Sequence, residues 1–422
     1  MRIKLIIAYA VIPLGLFSQS ISLDSCLNLA EKAYPLKNKE ELLRQSVEIN
    51  NKISTIAYYP SLKINAQATW QTDVTMLEVD NPMFADMLPD VSKDQYKVYA
   101  EFSQTIWDGG ITQSRKELEN AGLQTDLQRI NVDIYHYKEQ LVDLFFAALN
   151  LQKQIEILQM KEWQIDNVIS DLRAAKDNDA AMQVQIDVLL AEKLVLKQNI
   201  TELQFEVNSL IKLFSEYCNT EFDELSIFLV PTPELSLNEV MTRPELLLFD
   251  YSSDQILAGK DLLKSARNPK VFAFAQAGYG RPGLNMLSNE FQPYAIVGAK
   301  FVWTPWEWNK TKNEMQLLEI KSDIVRNNEQ VFLLHQNAKL EAQSEKIEKI
   351  NAISEQDESI LELRESITKT YLVQLNNGVI KSSDYLNVLN DENTQRLKME
   401  LHQLLLYQAI VKYNMLKGEL YE

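Results

Sequence analysis

The clearest pattern in the chain is an alternation of apolar and polar residues, with a period of two, in four short stretches. In residues 61–71 one face is entirely apolar, the other entirely polar, and the apolar positions are Leu62, Ile64, Ala66, Ala68 and Trp70. Residues 95–106, 270–280 and 293–303 also have apolar residues at alternate positions, such as Val98, Ala275 and Val297. Such alternation is typical of β-strands with one apolar face. We therefore predict two β-hairpins, over residues 60–107 and 269–304.

Between these hairpins the apolar spacing changes to that of helices. From Ile111 to about Arg173 the chain has no proline and one glycine, which predicts a helix of about 60 residues, roughly 95 Å long. A second very long helix is predicted over 308–374. Shorter helices are predicted at 22–33, 36–58, 183–214, 244–266 and 383–417.

The elements of the first half return in the second half about 200 residues later. Tyr34-Pro35 and Arg243-Pro244 each precede a helix, and Tyr59-Pro60 and Asn268-Pro269 each precede a strand. A long-period repeat of this kind indicates a duplicated architecture. We divide the chain into a signal peptide (1–18), a first repeat (19–215), an irregular equatorial linker (216–243) and a second repeat (244–418).

Each predicted repeat contains the same three parts in the same order. The first repeat has helices over 22–58, the hairpin 60–107 and coiled-coil helices over 110–215. The second has a helix over 244–267, the hairpin 269–304 and coiled-coil helices over 308–417. Long continuous helices packed against shorter stacked ones would form a coiled-coil cylinder held by apolar seams.

The N-terminus is typical of an exported protein. Arg2 and Lys4 precede the apolar run 5–17, which fits a secretory signal peptide ending near Ser18. No later run reaches the roughly 18 apolar residues of a membrane helix. Leu23-Asp24-Ser25-Cys26 weakly matches a lipoprotein cleavage box, so lipidation of Cys26, a disulfide to Cys218 and two partly buried thiols all stay open.

Four strands per chain cannot close a barrel, and an open sheet in lipid would leave unsatisfied backbone groups at its edges. Three copies would give twelve strands, above the roughly eight at which membrane barrels begin. Tryptophans cluster at the strand ends, where an aromatic belt would lie: Trp70, Trp107, Trp303, Trp306 and Trp308. The alternative is a soluble sheet with tryptophans in its core.

Charge and composition exclude several other classes of function. The net charge is −17, with 59 acidic and 42 basic residues, which argues against nucleic-acid binding. The three histidines, His136, His335 and His402, lie far apart in predicted helices, so no metal site is predicted. The chain has no phosphate-binding glycine loop and no nucleophile elbow. We predict no enzyme activity and no cofactor.

The motifs together resemble one known family, the TolC-like outer-membrane efflux proteins, also called outer membrane factors. The stretch Phe102-Ser103-Gln104-Thr105-Ile106-Trp107-Asp108-Gly109-Gly110 is similar to the family's strand-end motif. Tyr59-Pro60-Ser61-Leu62 opens the first strand as in the family. Gly378 followed by Asp384-Tyr385-Leu386-Asn387-Val388-Leu389 resembles the family's helix-tip segment. The resemblance covers nearly the whole mature chain.

The resemblance implies a mainly α-helical fold with a β-barrel portion. Three chains would form one twelve-stranded transmembrane β-barrel, continuous with a periplasmic α-helical coiled-coil barrel. Such proteins are passive exit ducts in the outer membrane, within tripartite efflux systems, including multidrug export, or type I secretion systems. The implied partners are outer-membrane lipid, a periplasmic adaptor (membrane fusion) protein and an inner-membrane pump of the RND or ABC type. The alternative is a periplasmic coiled-coil scaffold without a barrel.

The resemblance also implies a gate at the periplasmic helix tips, where the family has rings of aspartate. Alignment on Gly378 places Asp384 at the first of these positions and Asn387 at the second, which is a departure. Asp187 is assigned to the corresponding place in the first half. Three Asp384 carboxylates around one axis would raise one another's pKa and attract cations. The alternative is that Asp384 and Asp187 only favour their helix N-termini.

The family's gate-locking arginine and tyrosine have no clear match here, because those positions carry Ile380 and Leu375. At the other end of the long helices, the seam between barrel and tunnel is predicted at Trp107, Asp108, Gly109, Gly110, Pro305 and Trp306, with Trp70, Trp303 and Trp308 at the membrane interface. Gly109-Gly110 would allow the first bend. The second seam lacks these glycines, and we expect it to bend differently, through Pro305.

Overall fold

The structure is a computed structural model that describes residues 20–75, 91–178, 181–223, 226–238 and 240–419. The signal peptide predicted over 1–18 lies outside the described residues. The chain forms two compact units, one made from the described residues of Met1–Lys37, Ile130–Leu246 and Val331–Glu422, the other from Asn38–Arg129 and Leu247–Gln330. Each unit combines segments from both predicted repeats, whose boundaries stay a prediction.

The second unit contains the four long strands in one antiparallel sheet. These strands are β2 (Ser61–Trp70), β3 (Asp94–Trp107), β5 (Lys270–Arg281) and β6 (Gln292–Val302). Their order is β2-β3-β5-β6, so β3 and β5 join the two hairpins directly. One row across the sheet runs Leu62, Phe102, Ala275, Val297, each opposite the next. The predicted hairpins are therefore confirmed, and they form one sheet.

Helices of the same unit pack side by side through polar contacts between neighbours. They are α2 (Leu36–Ile56), the first part of α3 (Ile111–Lys176), α5 (Pro244–Ala266) and the first part of α6 (Lys310–Asn376). Asn50 on α2 donates to Glu119 on α3 at 3.0 Å. Thr125 on α3 donates to the backbone oxygen of Tyr251 on α5 at 3.1 Å. These contacts set α2 and α5 against α3.

The first unit contains a large apolar cluster that ties the chain's first helix to residues far along the sequence. Helix α1 (Leu23–Ala33) begins at the N-cap Ser22, whose side chain accepts from Ser25 N at 3.2 Å. The short strand β1 (Ser20–Ile21) pairs in parallel with β4 (Ile227–Phe228). Phe145, Phe214 and Phe228 pack edge to face beneath α1 in this cluster.

The same unit contains the turns that connect the paired long helices. Helix α4 (Gln183–Cys218) follows α3, and α7 (Ser382–Lys417) follows α6. A second apolar cluster unites all four helices near these turns: Ile165, Val168, Ile169, Leu172, Ile186, Leu189, Leu196, Leu375, Tyr385, Leu386 and Leu389. Lys161 pairs with Glu192 at 2.6 Å and Arg364 with Asp391 at 2.5 Å, each between consecutive helices.

Two details differ from the sequence prediction. The linker predicted as irregular over 216–243 begins inside α4, which continues to Cys218, and it contains strand β4. Asn219 ends α4 in the left-handed conformation, and this cap explains why the helix extends beyond the predicted Phe214. Among the described residues, no helix is both long and apolar enough to cross a membrane.

Candidate functional sites

The first candidate site is the junction between strand β3 and helix α3. Asp108 lies between them and is nearly buried. Its Oδ1 accepts hydrogen bonds from the Tyr58 hydroxyl at 2.8 Å and from Gly110 N at 2.9 Å, and its Oδ2 accepts from Thr112 N at 2.8 Å. The Asp108 carboxylate therefore caps the first turn of α3. It also binds Tyr58, two residues after the end of α2, to the start of α3.

The ionisation of Asp108 follows from these contacts. Burial alone would raise the pKa of this carboxyl, but the hydrogen bonds from Thr112, Tyr58 and Gly110 outweigh it and lower the pKa. The pKa of the Tyr58 hydroxyl is raised, mainly by burial and secondly by its hydrogen bond to the Asp108 carboxylate. Asp108 is therefore a fixed negative charge at neutral pH that stabilises the start of α3.

Gly109 and Gly110 make the bend that the sequence predicts. Their φ angles are +78° and +90°, in the left-handed region that favours glycine. A Cβ at Gly109 would lie 2.7 Å from the Asn268 Cβ, whereas a Cβ at Gly110 would meet nothing closer than 3.7 Å. Asn268 also donates from Nδ2 to the Gly109 oxygen at 2.7 Å. This contact holds the first junction against the chain just before β5.

The second junction, between β6 and α6, uses the same backbone conformation with different residues. Trp308 and Asn309 have φ angles of +49° and +62° and immediately precede α6, as Gly109 and Gly110 precede α3. The expectation of a different bend through Pro305 is therefore wrong. The physical reason is that the backbone must turn sharply into a helix in both places, and Asn is among the few non-glycine residues that tolerate the left-handed region.

The two junctions correspond residue by residue at an offset of 199 positions, the difference between Trp306 and Trp107. At this offset Glu307 matches Asp108, and its Oε2 accepts from the Thr311 hydroxyl at 2.7 Å. None of the site residues predicted from the sequence is Tyr58, Asn268, Glu307, Asn309 or Thr311. Glu307 could have been found by aligning the two Trp-acid pairs, whereas Tyr58 and Asn268 carry no local signal.

The predicted aromatic residues lie at opposite ends of the sheet. Trp107 ends β3, while Trp303, Trp306 and Trp308 follow β6 at the same end. The rings of Trp306 and Trp308 contact edge to face at 5.7 Å, and Trp303 Nε1 donates to the Arg267 oxygen at 3.2 Å. Trp70 lies at the other end, opposite Asp94. The aromatic rings of Tyr96, Tyr279 and Phe291 stack at that other end as well.

Between the two aromatic ends, one face of the sheet is mostly apolar across all four strands, with Gln104 and Arg281 as polar exceptions. Its members share their orientation through the strand register: Leu62, Ile64, Ala66, Ala68, Tyr96, Val98, Ala100, Phe102, Val271, Ala273, Ala275, Ala277, Tyr279, Pro293, Ala295, Val297, Ala299 and Phe301. Ile64 is 78% exposed and Val297 83%. The opposite face carries polar pairs such as Gln276 Nε2 with Glu101 Oε2 at 2.9 Å.

The second candidate site is the turn from α6 to α7, where the sequence places the gate. Gly378 has a φ of +70°, and a Cβ at this position would have nothing within 4 Å. Gly378 N donates to Leu375 O and Val379 N to Gln374 O, both at 2.9 Å, which is the Schellman ending of a helix. Leu375 is buried in the apolar cluster, and Ile380 packs against it. Because both side chains are apolar, neither can form the polar contacts that an arginine and a tyrosine would form at these positions.

The acidic residues of the turns have different surroundings. Asp384 Oδ2 accepts from Lys381 N at 3.1 Å and so caps α7. In the first half, Gln185 Oε1 accepts from Met182 N at 2.9 Å in the same way. The cap residue that corresponds to Asp384 is therefore Gln185, at the offset of 199, and Asp187 lies two residues further along α4.

The remaining two tip residues are exposed. Asn387 lies on the surface of α7, one turn beyond the cap. Asp187 lies on the surface of α4, where its Oδ1 accepts from Gln183 Nε2 at 2.7 Å. Both side chains are available to neighbours outside the chain. The gate roles of Asp384, Asn387, Gly378 and Asp187 stay predictions.

Two of the three histidines contact acidic side chains along the helices. His136 lies between Glu139 at 2.9 Å and Glu245 at 3.4 Å, and His402 Nδ1 contacts Asp357 at 2.6 Å. Within the part of the chain that the structure describes, no group of three or more His, Cys, Asp or Glu side chains could hold a metal ion.

Comparison with solved structures identifies the fold. The chain is similar to the outer membrane protein VceC from Vibrio cholerae, with a TM-score of 0.64 and 12% identity over 95% of this chain and 97% of that one. It is similar to the Campylobacter jejuni CmeC outer membrane channel, with a TM-score of 0.64 and 11% identity over 94% of this chain and 85% of that one. It is also similar to the open state of the Neisseria gonorrhoeae MtrE outer membrane channel, with a TM-score of 0.63 and 12% identity over 94% of this chain and 88% of that one.

No family model and no curated protein sequence matches the chain. The structural similarity extends over almost the whole length at very low sequence identity. It confirms, at the level of fold, the resemblance to TolC-like outer membrane factors. A fold alone does not determine a function.

Proposed function

We propose that the protein is a passive exit duct in the outer membrane, with its helices extending into the periplasm. Three copies assemble into one pore, whose barrel part has twelve strands. The duct carries substrates delivered by an inner-membrane pump, of the RND or ABC type, through a periplasmic adaptor. It serves efflux or type I secretion and performs no catalysis.

The exposed apolar face of the four-stranded sheet carries this proposal. Soluble proteins rarely expose an apolar patch beyond a few hundred Å². Here the patch covers most of one face of four strands, and residues on its two outer strands, such as Ile64 and Val297, are largely exposed. Strands of about 9–11 residues match the thickness of a bilayer, and aromatic residues at both ends match its interfaces. Lipid is the environment that suits such a face.

The edges of the sheet support assembly from several copies. Strands β2 and β6 are the outer strands, and each has one side without a partner strand in the described chain. In lipid these backbone groups would each cost several kcal/mol unless another strand satisfied them. Pairing of β6 with β2 of the next copy closes the sheet without new strands.

The gate is placed at the turns between the long helices. Asp384, half-buried and one turn from the exposed Asn387, would bring three carboxylates to the axis of a trimer. Its hydrogen bond from Lys381 N fixes the position of the carboxylate at the helix start. A ring of carboxylates in a narrow passage attracts cations. Capping and gating are compatible roles for this side chain.

The competing function is a periplasmic coiled-coil scaffold without a membrane barrel. The long helices alone would suit it, but it leaves the apolar face of the sheet in water. The two proposals separate on extraction from cell envelopes. An exit duct needs detergent, because its sheet is surrounded by lipid. Release by high salt alone, with no detergent, would contradict the duct and favour the scaffold.

A pair of adjacent substitutions on β2 tests the orientation of the sheet. Ile64→Lys places a charge on the apolar face, which costs about 2–4 kcal/mol near the middle of a bilayer. Asn65→Lys places the same charge on the opposite face and is the matched control. We expect Ile64→Lys to abolish heat-modifiable trimers in the envelope and Asn65→Lys to preserve them. Equal behaviour of the two variants would contradict a lipid-facing sheet.

A further inference from the structure

The chain contains two cysteines, and the fold brings them together from 192 positions apart. Cys26 lies on α1, and Cys218 is the last residue of α4. Both are sealed from solvent within one apolar cluster, alongside Phe145 and Phe214. Cys218 Sγ lies 3.6 Å from the backbone oxygen of Cys26. Both thiols are free in the structure, and the Cys218 sulfur lies directly against the Cys26 residue.

The surrounding structure holds the two elements in this register. Ile21 on β1 pairs with Phe228 on β4, and Leu229 N donates to the Ile21 oxygen at 2.9 Å. Residues before Cys26 and residues after Cys218 are therefore fixed to each other. The left-handed Asn219 ends α4 directly after Cys218, so this thiol is presented at the helix end.

The same contacts argue against lipidation of Cys26. A lipoprotein signal cleaved before Cys26 would remove β1, the buried Leu23 and the N-cap Ser22. Ile21 is 1% exposed and belongs to the cluster. The mature chain needs these residues to build the cluster, and Cys26 is thus an internal residue of α1.

We propose that Cys26 and Cys218 form a disulfide bond in the exported protein. The inference rests on the proposed function, because the bond requires an oxidising compartment beyond the cytoplasm. The oxidant is a protein disulfide of that compartment. One cysteine thiolate attacks the donor disulfide, which gives a mixed disulfide and one donor thiolate. The second cysteine then displaces the other donor thiolate, so that the chain loses two protons and two electrons and the donor becomes a dithiol.

The bond forms while the chain folds. In the folded protein, the hydrogen bond with Cys218 and burial raise the pKa of the Cys26 thiol. Both thiols are also sealed from solvent in the apolar cluster, so an external disulfide cannot reach either of them. Exchange must therefore take place before the apolar cluster closes over α1. Once made, the bond fastens the first helix of the mature chain to the end of α4.

The test is peptide mapping of the full-length protein from cells quenched with N-ethylmaleimide. We expect the peptides that contain Cys26 and Cys218 to be joined, with a mass about 2 Da below the sum of the reduced peptides. Recovery of both cysteines as separate maleimide adducts from outer-membrane fractions would overturn the disulfide and leave the exit duct intact. If the protein is absent from those fractions, the duct fails, and mapping after refolding with oxidised glutathione decides the disulfide.

A stability measurement separates a bond from mere packing of two thiols. We compare wild type, Cys26→Ala, Cys218→Ala and the double variant by thermal unfolding. A disulfide predicts that either single variant has the full loss in Tm, that the double variant loses little more, and that a reductant lowers the wild-type Tm only. Additive losses without any effect of reductant would overturn the proposal.

Discussion

Alanine substitutions at the first strand–helix junction give a graded test of its geometry. Gly109 and Gly110 both have positive φ angles, and an L-residue in that region costs about 1–2 kcal/mol. Only Gly109 also lacks room, because its Cβ would lie 2.7 Å from the Asn268 Cβ and 3.1 Å from the Ser265 oxygen. Overpacking of that kind costs about 1–3 kcal/mol. The expected losses are therefore about 2–5 kcal/mol for Gly109→Ala and about 1–2 kcal/mol for Gly110→Ala.

The two variants form a matched pair, since the residues are neighbours and the chemical change is the same. Thermal unfolding followed by circular dichroism should rank them below wild type, with the larger decrease in Tm for Gly109→Ala. A further variant, Asn268→Gly, removes the Cβ that collides with the new methyl group. Combined with Gly109→Ala, it should cost less than the sum of the two single changes.

Equal Tm values for Gly109→Ala and Gly110→Ala would refute the close contact with Asn268. Tm values equal to that of wild type would refute the left-handed conformation at both positions. A larger loss for Gly110→Ala would show that the crowding is on the other side of the bend.

Three further predictions concern the junctions and the helix tip. Asp108→Asn should lower the free energy of unfolding by about 2 kcal/mol at neutral pH, because it removes a charged hydrogen-bond acceptor. Since the pKa of Asp108 is lowered in the folded protein, the carboxylate stabilises the fold above the ordinary pKa near 4, and this stabilisation is lost as the pH falls through the folded pKa. The Tm values of the two proteins should therefore converge in acid, and parallel pH dependences would contradict this role. Asn309→Val should cost about 1–2 kcal/mol and Asn309→Gly almost nothing in thermal melts, because φ is +62° there; equal Tm values would contradict that conformation. Asp384→Ala should alter conductance and divalent-cation block in planar bilayers, while Gln185→Ala, which removes the matching cap without a charge, should not; unchanged block in Asp384→Ala would exclude a gate role.

Much of the fold could be predicted because its elements are long and strongly patterned. The alternation around Ile64 gave the strand, and the uninterrupted helical spacing after Ile111 gave α3 within a few residues of its end. The duplication predicted the second half from the first. Long-range partners could not be predicted in this way. Tyr58 and Asn268 hold the first junction through contacts that no local spacing encodes.

The second junction shows where residue identity misled the interpretation. The sequence predicts the second bend at Pro305 and Trp306, whereas the positive φ angles that turn the backbone are at Trp308 and Asn309. Conformation is repeated between the halves while side chains are not, because Asn can replace glycine in the left-handed region. The helix tips also repeat a conformation with different side chains, since Gln185 in the first half makes the cap hydrogen bond that Asp384 makes in the second.

Spin-label accessibility along β2 shows whether one face of the sheet is in contact with lipid. Single nitroxides are placed from Leu62 to Ala68 in a chain whose two native cysteines are alanine, and the trimer is reconstituted in vesicles. The account predicts a period of two, with even positions such as Ile64 accessible to oxygen dissolved in lipid and odd positions such as Asn65 accessible to a water-soluble relaxation agent. Accessibility to the water-soluble agent at every position would contradict a membrane-spanning sheet.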